Sequence, residues 1–98
     1  MMVNFETIKR FGTKLRNSDI KRMTTTQLSR MLTRYTGSHG KPTLQSYIKL
    51  LKDFGFIEFT EEGRWEILRK GQTLLVGKPD PEILDIYIEI GKQEGTIK

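Results

Sequence analysis

The hydrophobic period of this chain switches from helical to strand spacing after Gly55, and that switch narrows the possible folds more than any other feature. Up to Gly55 apolar residues recur at helical spacing, and from Phe56 they alternate with polar ones at the spacing of a strand. Helices followed by a short hairpin must share one core with a small sheet, which makes the chain α+β and mainly helical. With 98 residues it has room for a single core, and no large enzyme fold fits.

The first helix is expected from Phe5 to Leu15, because Phe5, Ile8, Gly12 and Leu15 fall on one face, with Asn4 as N-cap and Lys14 and Arg16 suiting the last turn. Asn17, Ser18 and Asp19 make a turn, and Ile20 to Met23 is short enough to be a linker or a minimal strand. Thr24 with Gln27 has the form of a capping box, opening a second helix whose stripe is Leu28, Met31, Leu32 and Tyr35. A loop over Thr36 to Lys41 precedes a third helix, 42–54. Pro42 sits in its first turn, Leu44, Leu51 and Phe54 lie on its buried stripe with Tyr47 or Ile48, and Gly55 stops it.

Phe56 to Thr60 and Trp65 to Leu68 then read as two strands joined by a turn over residues 60–64. Leu74, Leu75 and Val76 fit either a strand or a helix. Pro79 and Pro81 stiffen a linker, 77–81, before a last helix over 82–92. Its apolar positions Ile83, Leu84, Ile86, Tyr87, Ile88 and Ile90 cover most of its circumference. Such a helix needs burial on more than one side, so a second copy is expected at Ile83, Ile86, Tyr87 and Ile90, the alternative being packing across helix one of the same chain. A homodimer of this kind predicts that changing Ile86 and Ile90 to Lys yields a folded monomer.

Charge is divided unevenly. Residues 1–55 hold eleven Lys plus Arg and three acids, for +8, and residues 56–98 hold six and nine, for −3. The N-terminal part is suited to face a polyanion, and the C-terminal part to another task. No cysteine is present, which removes disulfides, thiolate zinc sites and thiol nucleophiles. No secretory signal follows Met1 and no apolar run approaches the roughly 20 residues of a membrane span, so the expected place is the cytoplasm. The single His39 stands between Ser38 and Gly40 without an orienting acid or further metal ligands, and Glu61 and Glu62 are adjacent at a turn tip. No enzyme, metal or cofactor is expected.

The order helix, helix, loop, helix, strand, turn, strand over about residues 5–70 resembles the winged helix-turn-helix family. The run from Thr43 to Leu51 into Lys52, Asp53, Phe54, Gly55, Phe56 and Ile57 is similar to that family's recognition helix and its entry into the wing. The resemblance implies a winged-helix DNA-binding domain over 4–76, with three helices, a β-hairpin wing and an additional C-terminal helix at 82–92 as dimerisation element. It also implies that helix three enters the major groove of double-stranded DNA, helix two crosses the backbone above it, and the wing reaches sugar-phosphate or the minor groove.

Residue chemistry fits this independently. Gln45, Ser46 and Lys49 share an outward face and offer base-edge partners, since Gln pairs bidentately with adenine and Lys donates to guanine. Lys41 and Thr43 stand at a helix N-terminus, where phosphate is favoured. Lys9, Arg10, Lys14, Arg30, Arg34 and Lys52 supply further phosphate contacts, and Arg64 suits a narrow minor groove, although Glu61 and Glu62 beside it repel phosphate. Trp65 fits the hairpin core better than a base-stacking platform. The expectation is a small homodimeric transcriptional regulator, microbial or viral, associated with the nucleoid and binding duplex DNA sequence-specifically. Alternatives are a winged-helix protein-interaction module, or a weakly specific DNA replication, partition or packaging protein.

Overall fold

The computed structural model describes residues 4–68 and 80–95. Over these residues the chain is mainly helical with a small antiparallel sheet: α1 (Phe5–Arg16), β1 (Arg22–Met23), α2 (Thr25–Thr36), α3 (Lys41–Asp53), β2 (Ile57–Phe59), β3 (Trp65–Ile67) and α4 (Pro81–Glu94). The stretch at 71–77 with two possible readings lies outside the described residues, as does most of the expected linker. Asp80 and Pro81, assigned to that linker from sequence, instead open α4 as its N-cap and first residue.

Local chemistry fixes the helix ends. The Asn4 side chain accepts from the Thr7 N–H, and at α2 both halves of the capping box form, at 2.9 Å from Thr24 N–H to Gln27 Oε1 and 3.1 Å from Gln27 N–H to Thr24 Oγ1. At the end of α3, Gly55 adopts φ 79°, which lets the Phe56 N–H return to the Leu51 carbonyl at 2.9 Å. That reversal lays the Phe56 ring over Gly12 of α1.

The sheet order is β1-β3-β2, all antiparallel. Ile57 pairs with Ile67 on the buried face, and Glu58 pairs with Glu66 on the next register position, beside Arg22. The short segment before α2 is therefore a strand, which closes the free edge of β3.

Ile8, Phe11 and Leu15 of α1, Leu28, Met31 and Leu32 of α2, Tyr47 and Leu51 of α3 and Ile57 and Ile67 of the hairpin form one core. Ile83 and Ile90 of α4 belong to it as well, 0% and 1% exposed, because α4 packs across α2 and α1 of its own chain. The assignment of these two isoleucines to an interchain contact is thereby corrected: they lie seven residues apart on one helix face, and that face is filled by this chain's own core. Ile86 and Tyr87 are partly buried against the same core, and Ile88 remains 38% exposed.

Candidate nucleic-acid interface

The third helix carries the arrangement best suited to an extended ligand. Tyr47 and Leu51 anchor it to the core, so Lys41, Gln45, Lys49 and Lys52, at i, i+4, i+8 and i+11, run along its exposed side. Lys41 and Lys52 are separated by about 16 Å along the axis at 1.5 Å per residue. Gly40 caps the helix without a side-chain hydrogen bond, leaving the first turn open to an acceptor. Thr43 is half-buried beside that turn.

Two of the three expected base-reading side chains already hold partners. Ser46 donates its hydroxyl to the Pro42 carbonyl at 3.0 Å, and Lys49 Nζ pairs with Asp53 one turn on, at 2.9 Å. Both groups of the Lys49–Asp53 pair are largely in solvent, so the pair is weak and opens readily. Gln45 is exposed, and among the described residues no hydrogen bond occupies its amide.

The expected phosphate contacts separate into two sets. Lys9, Arg10, Lys41 and Lys52 are exposed and carry no ion pair among the described residues, Lys9 lying 5.9 Å from the centre of the Phe54 ring. Lys14, Arg30 and Arg34 face α4 instead. Lys14 bonds Asp80 at 3.2 Å and Glu82 at 3.0 Å, and these carboxylates raise its pKa, the Glu82 hydrogen bond most, against the lowering effect of burial. Arg30 bonds Glu94 at 3.2 Å and Gln93 at 3.3 Å, and Arg34 pairs with Glu89.

In the hairpin, Arg64 stands exposed in the turn, where its N–H donates to Thr60 Oγ1 at 3.2 Å. Glu61 and Glu62 are also exposed, with Glu62 at 3.9 Å from Arg22. Trp65 is half-buried, its indole N–H donating to Thr25 Oγ1 at 3.0 Å and its ring lying 4.8 Å from the ring of Phe59. This ties the hairpin to the start of α2.

One feature was not anticipated from sequence, an aromatic and cationic seam between α1 and α3. Phe5 meets Phe54 at 6.5 Å, Phe54 meets Phe56 edge-on, and Arg16 sits 4.5 Å from the centre of the Phe56 ring while bonding the Leu68 carbonyl at 3.4 Å. Phe5 and Phe54 fall on the predicted apolar stripes, yet they are 57% and 38% exposed. No sequence signal separates a stripe's covered middle from its uncovered ends.

His39 is exposed in the 37–40 connection. Among the described residues no group of three or more acidic, His or Cys side chains could hold a metal ion, and no helix is long and apolar enough to cross a membrane. Comparison of the chain with protein-family models, with curated proteins and with solved structures found no match.

Proposed function

We propose that this chain is a winged-helix protein that binds double-stranded DNA with α3 in the major groove, acting in the cytoplasm on the nucleoid as a small transcriptional regulator. One observation carries the reading: an exposed stripe of Lys41, Gln45, Lys49 and Lys52 on a helix held rigidly by Tyr47 and Leu51. The element order supports it, since α2 and α3 are joined by four residues, 37–40, and a hairpin follows at once. Gln45 is assigned to base reading with Lys49 and Ser46 beside it, and Lys41, Lys52, Lys9 and Arg10 to phosphate. Arg64 marks the wing's point of approach. The task is binding rather than catalysis, without metal or cofactor.

If two copies act together, the surface of α4 open to the second is the side carrying Ile88, because Ile83 and Ile90 are consumed within the chain. A two-fold arrangement then places half-sites about 10 base pairs apart.

The test is a fluorescence-anisotropy titration of a labelled mixed-sequence duplex across a salt series, followed by selection of preferred sequences. Affinity should fall with a log–log slope of roughly −0.9 per phosphate neutralised. Gln45→Ala should flatten sequence preference, whereas Lys41→Ala should weaken all duplexes alike. Absence of binding at low salt refutes the proposal. It would favour a second reading, a protein-interaction module, for which the exposed Phe5 and Phe54 are the specific observation.

A further inference from the structure

The cations of α1 and α2 that face away from α3 form a second surface, and its occupant is part of the same chain. Between Asp80 and Glu94, α4 with its N-cap carries five carboxylates and one Lys. Four of the five, Asp80, Glu82, Glu89 and Glu94, are paired with Lys14, Arg34 and Arg30. Arg30 and Arg34 also line a cleft of about 200 Å³ between α2 and α4, with Thr33, Gln93 and the buried Ile90.

We propose that Lys14, Arg30 and Arg34 constitute a second polyanion-binding face, and that α4 occupies it permanently as an internal polyanion, so that nucleic acid is confined to the α3 side. This rests on the DNA-binding reading for its consequence, though not for its geometry. The Arg34–Glu89 pair, with both groups half-exposed, is weak taken singly, while Asp80 and Glu94 are better shielded. The joint effect of the pairs differs, because Ile83 and Ile90 pin α4 in the core and hold its carboxylates beside the cations at an effective concentration no free phosphate matches. A chain of net charge +5 with cations open on two sides would bridge separate duplexes. With α4 in place, it is one-sided.

The double variant Glu89→Gln, Glu94→Gln tests this against Asp85→Asn, Glu58→Gln, which changes net charge equally while releasing no paired cation among the described residues. The full chain of each is run on immobilised heparin and titrated against a labelled mixed-sequence duplex across a salt series. The first variant should elute from heparin at distinctly higher salt than the second, and its salt slope should steepen by up to about 1.8, two phosphates at roughly 0.9 each. Coincident elution and slope for the two variants overturn the inference. If the wild type does not bind duplex, the DNA reading falls and heparin elution alone decides the role of α4. Should the double variant fail to fold by circular dichroism, Glu89→Gln alone, which releases only Arg34, is compared with Asp85→Asn, and a slope change near 0.9 or later elution is then required.

Discussion

Gly12 lies in the middle of α1, where helix propensity alone says that Ala would be the better residue by about 1 kcal/mol. The structure reverses that expectation. A Cβ built on Gly12 would lie 2.4 Å from Phe56 Cδ2, 2.5 Å from Cγ and 2.6 Å from Cε2, far inside van der Waals contact. The ring cannot simply swing aside. Its backbone N–H is held by the Leu51 carbonyl, the Arg16 guanidinium covers one side at 4.5 Å from the centroid, and Phe54 meets it edge-on at 6.5 Å. Forcing a methyl to 2.4–2.6 Å from three ring carbons falls in the upper part of the overpacking range, at about 2–3 kcal/mol. Offset by the propensity gain, Gly12→Ala should therefore destabilise by about 1–2 kcal/mol, lowering Tm by roughly 4–8 °C for each kcal/mol.

The assay is urea unfolding followed by Trp65, the chain's single Trp, which is half-buried against Phe59 in the native state. A double-mutant cycle isolates the clash. In a Phe56→Ala background, the Cγ, Cδ2 and Cε2 atoms that Cβ would meet are all gone, so adding Gly12→Ala should be neutral or stabilising by up to about 1 kcal/mol. A Gly12→Ala protein as stable as wild type, or additive behaviour in the cycle, would refute the packing account.

Two further substitutions or conditions follow from the same structure. Ile90→Lys should prevent folding rather than give a monomer, because Ile90 is 1% exposed inside its own chain and a Lys there would bury an unpaired charge; Ile88→Lys, at 38% exposure, should leave the unfolding free energy within about 0.5 kcal/mol of wild type and is the substitution that reports on any dimer by sedimentation. At alkaline pH, Lys14 and Tyr35 should weaken the fold together. Lys14 is raised chiefly by its hydrogen bond to Glu82, and Tyr35 by burial, so in both the native state holds its proton above the unfolded pKa. Their stabilisation is complete below about pH 10 and is lost as pH rises through the raised native values. The urea midpoint should fall as pH rises above about 10, less steeply in Lys14→Met; an unchanged pH profile in that variant would contradict the role given to Lys14.

Local signals in this chain were legible because their causes are local. Asn4, the Thr24 and Gln27 pair, Pro42 and Gly55 each act on backbone groups within one turn, and each stands where its chemistry requires. The exposed side of α3 was equally legible, since Gln45, Lys49 and Lys52 need only the helical period to share a face. What escaped depends on partners far along the chain. Arg22 and Met23 show no periodicity of their own, so the sequence leaves linker and minimal strand both open, and pairing with Glu66 and Trp65 decides for the strand. Arg30 and Arg34 looked like free cations until Glu94 and Glu89, 64 and 55 residues later, were brought against them. The same holds for α4: counting its isoleucines indicates how much surface must be covered, but not whether another chain or α2 covers it.

The placement of α4 also separates the two kinds of demand on this small domain. Its buried face, through Ile83 and Ile90, adds apolar area to a core that at this length covers only part of what an unfolded chain exposes. Its flanks, through Asp80, Glu82, Glu89 and Glu94, compensate cations of α1 and α2 that would otherwise repel one another. Neither contribution touches the exposed stripe of α3. Under the proposed DNA-binding function, substitutions on α4 should therefore alter stability or the number of cationic faces while leaving sequence preference intact, and substitutions at Gln45 should do the reverse. A change at Glu89 that altered which base pairs are preferred would mean that α4 and α3 are coupled through α2, and the division of labour drawn from their geometry would be wrong.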